Sequence, residues 1–127
     1  MAYISAQEVK AIRNELKAQF PKFKFGVRKG SGSLSVDVTI KSGPADFSDV
    51  TAYGNGYGQV NQYYLQNYGK HQAFLEQIMR IVKIAPSTVP GGRRWFDESD
   101  AMTDYFHTAY YIHLSIGAWN KPYEMVK

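Results

Sequence analysis

Two adjacent segments that alternate apolar and polar residues constrain this chain more than any other feature. Across 22–28, Phe23, Phe25 and Val27 alternate with Lys22, Lys24 and Arg28, and Gly26 is neutral. Across 34–41, Leu34, Val36, Val38 and Ile40 alternate with Ser35, Asp37, Thr39 and Lys41. Successive side chains of a strand point to opposite faces, so each segment reads as a strand with one apolar and one wet face. The intervening KGSGS turns readily, and Ser42-Gly43-Pro44 ends the second strand. The pattern predicts an antiparallel hairpin over about 22–41, whose apolar face other elements must cover.

Helices can supply the cover. Ser5 followed by Glu8 has the capping-box spacing, and Val9, Ile12 and Leu16 then form a helical stripe. This predicts a helix over about 5–20, ended by Pro21 and finishing on Phe20 against the core. A second helix is predicted over about 70–84. There Phe74, Ile78 and Val82 lie on one line, with Leu75, Met79 and Ile81 beside it, and Pro86 and Pro90 stop it. Val60–Tyr68 reads as a short helix capped by Gly69. The stretch YGNGYGQ over 53–59 is too rich in glycine for a helix and reads as a loop. Residues 86–104 read as a long connection in which Arg94-Trp95-Phe96 could add a short strand. Alternation returns with Tyr110, Ile112, Leu114 and Ile116, which predicts a strand over about 108–116. Trp119 and Tyr123 in the tail are expected to pack back on the body. The expected class is α+β in the order α-β-β-α-β. A small antiparallel sheet, made of the N-terminal hairpin and a C-terminal strand, packs against two or three helices. The 127 residues suit a single domain spanning 1–127.

There is no cysteine, which excludes disulfides and thiolate metal sites. No run of about 20 apolar residues occurs and the N-terminus lacks a signal-peptide pattern, so a cytoplasmic protein with no membrane partner is expected. The net charge of +4 is unevenly spread. Residues 1–45 hold eight basic side chains against three acidic ones. Lys10, Arg13 and Lys17 share a face of the first helix, Lys24 and Arg28 the wet face of the hairpin, and Lys29 the adjoining loop. Such rows can meet phosphates, with salt-sensitive and weakly sequence-specific binding. However, a helix lying on one sheet face turns its outer row away from the other face, and solvated charge alone also explains these residues. Arg93, Arg94 and Trp95 combine arginine with a large aromatic, a pattern suited to a contact hot spot. Tyr53, Tyr57, Tyr63 and Tyr64 are candidate partner-binding aromatics, able to stack bases or anchor a protein.

Other chemistry finds less support. Asp97, Glu98, Asp100 and Asp104 lie close together but match no calcium-loop pattern, and a cap or turn role accounts for them. His71, His107 and His113 have no metal-motif spacing. Neither a nucleophile elbow nor a P-loop is present. No catalytic residue, metal site or cofactor is assigned.

The helix–hairpin opening and a late block together resemble a large polyvalent protein-associated domain, a type found in phages and conjugative elements. The first block supplies Ile4, Ser5, Val9, Ile12, Leu16, Phe20, Pro21, Phe23, Val27, Val36 and Val38. The second supplies Ser99, Asp100, Met102, Thr103, Asp104, Tyr105, Phe106 and Tyr111. The resemblance implies a mobile-element context in a host cytoplasm and brings no catalytic residue with it. The reading that follows is a non-enzymatic binding module contacting nucleic acid or a host nucleic-acid-processing protein or complex. The alternatives are a protein-binding inhibitor of a host defence enzyme and a small metal-dependent hydrolase built on Asp97, Asp100, Asp104 and His107.

Overall fold

A computed structural model of the chain describes residues 4–30, 32, 34–47, 57–60, 65–90, 92, 95, 110–118 and 121–126. Helix α1 (Ala6–Gln19) begins at the predicted capping box. The Glu8 N–H donates to Ser5 Oγ at 3.1 Å, and the Ser5 N–H donates to Glu8 Oε1 at 3.0 Å. Two donors that a helix start would leave open are thereby satisfied. Ile4 and Val9 flank the cap and join Ile12 and Leu16 in the core. At the other end the Phe20 N–H reaches Leu16 O at 2.9 Å, just before Pro21.

Strands β1 (Lys24–Lys29) and β2 (Ser35–Gly43) form the predicted antiparallel hairpin. Phe25 pairs with Ile40 and Val27 with Val38 on one face, while Gly26 pairs with Thr39 and Arg28 with Asp37 on the other. The register skips Lys41 on passing from the Phe25–Ile40 pair to the Lys24–Ser42 pair. Lys41 is thus an extra residue on its strand, the hallmark of a bulge.

The remaining strands change the sheet from the antiparallel one expected to a mixed one, with five strands among the described residues. β4 (Tyr111–Ile116) lies parallel to β2, setting Ile112, Leu114 and Ile116 beside Val36, Val38 and Ile40. β3 (Gly58–Val60) pairs antiparallel with the far side of β4, and β5 (Glu124–Met125) pairs parallel with the Ser42–Gly43 end of β2. Between β2 and β4 the chain runs through helix α2 (Gln72–Ile84). A crossover of that length returns a strand in the same direction, whereas antiparallel neighbours need only a tight turn. Period-two alternation is identical for both directions, so it carried no information on this point.

The stretch before α2 also differs. Val60 ends β3 instead of starting a helix, and Leu65–His71 forms a 3₁₀ segment. Gly69 breaks that segment with φ 53°, a left-handed value that suits glycine. Only Val60 of the three β3 residues is apolar, so pairing with β4 supplies what the local sequence lacks.

Both helices contribute to one core with the apolar sheet face: Val9, Ile12 and Leu16 from α1, and Leu75, Ile78 and Val82 from α2. Phe74 stacks on Phe23 with ring centroids 4.6 Å apart and meets Phe20 edge-on at 5.0 Å. Tyr123 packs edge-on against Phe47 at 5.0 Å and brings the C-terminal segment back onto the body. Trp119 lies outside the described residues.

Candidate functional site

The face of the sheet opposite the helices is polar across four strands. The register aligns Arg28, Asp37 and His113 in one row, and Gly26, Thr39, Ser115 and Gln59 in the next. Alternation produces these rows directly, because the residues between them are the core side chains Val27, Val36, Val38, Ile112 and Leu114. Thr39 Oγ1 and Ser115 Oγ lie 3.4 Å apart across β2 and β4.

Two concavities indent this face. One, of about 400 Å³, is lined by Arg28, Asp37, Thr39, Tyr57, Gln59 and His113 among others. A second, of about 260 Å³, is lined by Lys24, Thr39, Lys41, Ser42, Lys121 and Glu124 together with Ala118 and Pro122. Thr39 and Ala118 belong to both linings, so the two form one continuous depression. Among the described residues its charged wall carries Lys24, Arg28, Lys41 and Lys121 against Asp37 and Glu124, an excess of positive charge.

The basic residues singled out from the sequence do not all converge. Lys24 and Arg28 stand on the polar face. Lys29 pairs with Val36, so its register position belongs to the helix side of the sheet. Lys10, Arg13 and Lys17 ride on α1, whose buried stripe covers the apolar side. Arg13 is engaged locally, its Nη2 donating to Val27 O at 2.6 Å. Lys10 borders a separate groove of about 640 Å³ between α1 and Ala85–Pro90.

Trp95 is built into the fold. Its backbone N–H donates to Lys83 O at 2.8 Å and its indole N–H to Tyr110 O at 2.7 Å. Lys83 Nζ lies 4.6 Å from the centre of the indole. The Tyr110 phenol donates in turn to Val82 O at 2.6 Å. Burial, with a smaller contribution from the Glu8 charge, pushes its pKa well above the ordinary tyrosine value. Tyr57 is half-buried at the depression.

Arg93, Arg94, Tyr53, Tyr63 and Tyr64 lie outside the described residues, as do Asp97, Glu98, Asp100, Asp104 and His107. Among the described residues no cluster of three or more metal-ligating side chains occurs. No described helix is long and apolar enough to cross a membrane. Alternation put Thr39 and Lys41 on the wet face of the hairpin, but sequence reading did not name them as site residues or join Lys121 and Tyr111 to that surface. The available signal was Gly26, because an isolated glycine inside a strand marks a close approach.

A family model described as large polyvalent protein associated domain 29 matches residues 4–88, two thirds of the chain. The chain belongs to this family. Membership associates it with phage and mobile-element proteins. The match runs from Ile4 through α2 to Thr88, so it takes in the helix–hairpin opening and leaves out the late block Ser99–Tyr111. Within the site, Lys24, Arg28, Asp37, Thr39, Lys41, Tyr57 and Gln59 fall inside the matched span, and His113, Ser115 and Lys121 fall beyond it. No curated protein and no solved structure matches the chain.

Proposed function

We propose that the chain is a non-enzymatic binding module of a phage or other mobile element. Its partner is nucleic acid, or a complex that processes nucleic acid, met by the polar face of the sheet. One observation carries this reading: Lys24, Arg28, Lys41 and Lys121 gather around a continuous depression whose floor is hydroxyl and amide groups. Cations of this kind release counterions from a phosphate backbone, and hydroxyls and amides add hydrogen bonds to phosphate and sugar. Lys10, Lys17 and Lys29 add to the overall positive field that draws a polyanion in, and Arg13 serves the fold first.

The test is a titration of nucleic acid over a salt series, comparing two double variants. Lys24→Glu with Arg28→Glu should weaken binding and lower the slope of log affinity against log salt by roughly 0.7–0.9 for each phosphate no longer neutralised. Lys10→Glu with Lys17→Glu should leave the slope near that of the parent. Equal losses from both pairs, or no loss from either, would contradict the assignment.

A further inference from the structure

The depression has a polarity along its length. At one end Lys24, Lys41 and Lys121 surround the Thr39 and Ser42 side chains, with Glu124 as the carboxylate among the described residues of that lining. At the other end stand Arg28, Asp37, His113, Gln59 and Tyr57, a mixture of donors and acceptors around a wider opening. Beyond His113 on the same face, Tyr111 exposes 48% of its surface.

Lys41 has a defined place in this arrangement. A Cβ on Gly26 would lie 2.7 Å from Lys41 Cε and 3.4 Å from its Nζ. The lysine therefore lies flat across the bare backbone of Gly26, between Lys24 and Arg28 on the neighbouring strand. The bulge frees Lys41 from a cross-strand partner, and the glycine leaves the notch that receives it. Its ammonium group is thus carried along the sheet surface, where an anion in the depression meets it.

We propose that this depression takes one strand of nucleic acid in preference to a duplex, a refinement that rests on the nucleic-acid reading above. The lysine end seats a phosphate. The Arg28–His113 end receives an unpaired base, with Tyr111 as a stacking surface. A positively charged groove beside an exposed aromatic is the general solution for holding single strands. A face four strands wide is too broad for a duplex groove, which admits at most a two-stranded ribbon, so base edges reach its floor when they are unpaired. A duplex keeps its bases stacked inside a convex cylinder, so it touches the rim cations and leaves the floor unused.

The experiment measures fluorescence anisotropy of a short labelled strand, alone and annealed to its complement, against the full chain. We expect the single strand to bind more tightly by about tenfold or more, the scale of one stacked base. Lys41→Gln and Tyr111→Ala should each narrow that preference. Gly26→Ala should narrow it as well, by lifting Lys41 from its notch while its charge remains. Thermal melting of each variant establishes that it is folded. Equal affinity for strand and duplex would overturn this proposal and leave the broader reading intact. Absence of binding to either would overturn this proposal and, with it, direct contact of the depression with nucleic acid. A preference untouched by the three variants would overturn the assignment of the depression as its origin.

Discussion

The guanidinium of Arg13 donates from Nη2 to the carbonyl oxygen of Val27 at 2.6 Å. This bond ties α1 to the edge strand of the sheet, because β1 is the terminal strand in the order β1-β2-β4-β3. Lys10, Arg13 and Lys17 are all exposed, and this bond sets Arg13 apart as the one that also fastens the fold. We expect Arg13→Gln to cost about 1 kcal/mol, the net scale of a hydrogen bond whose partners water can reach. Lys10→Gln and Lys17→Gln should stay within about 0.5 kcal/mol. Urea denaturation of the three variants checks this.

Tyr123 holds the C-terminal segment with its hydroxyl, whose single proton is shared between Gly43 O at 3.0 Å and Ala45 O at 2.7 Å. Burial, aided by the Asp46 charge, pushes the phenol from 10.0 up to about 12. The folded state therefore holds this proton more tightly than the unfolded chain does. Its contribution to stability is complete below the unfolded value near 10.0 and is lost as pH rises through about 12. Tyr123→Phe should lower stability at neutral pH by about 1 kcal/mol and flatten the alkaline decline. Chemical denaturation repeated from neutral to strongly alkaline pH reads both effects.

Gly43 faces the ring of Phe23, whose Cγ would stand 2.8 Å from a Cβ placed there. That ring is already stacked on Phe74. Gly43→Ala must displace it, and we expect a loss of about 1–3 kcal/mol, typical of overpacking. Gly69→Ala meets no neighbouring atom, and its cost should come from the backbone conformation alone (φ 53°, ψ −121°), about 1–3 kcal/mol. Comparing melting curves of the two separates steric crowding from backbone strain.

The Trp95 indole serves as a clasp between α2 and β4. Trp95→Phe keeps an aromatic ring, removes the bond to Tyr110 O and loses part of the indole's packing, so a loss of about 1–2 kcal/mol is expected. Affinity for nucleic acid, measured on the folded variant, should be unchanged. A selective loss of affinity with normal stability would instead restore Trp95 as a contact residue.

Local chemistry made much of the fold legible. Ser5 and Glu8 marked the start of α1, and alternation in β1, β2 and β4 assigned each side chain to its face. The same alternation by itself carried Arg28 and Lys24 onto the polar face. What stayed hidden depends on residues distant in sequence. The direction of β4 is set by the path through α2, and β3 owes its existence to pairing rather than to its own Gly58-Gln59-Val60. The site was half legible for the same reason. Lys24 and Arg28 are local to the hairpin, whereas Lys121 and His113 join them only through the parallel pairing of the C-terminal segment with β2.

The most direct test of the central claim is a map of amide chemical-shift changes in the isotopically labelled chain as a short oligonucleotide is added. The account predicts changes centred on Arg28, Asp37, Thr39, Lys41, His113 and Ser115, with α1 little affected. Changes centred on the Lys10 and Lys17 face of α1, with the polar sheet face unmoved, would contradict it.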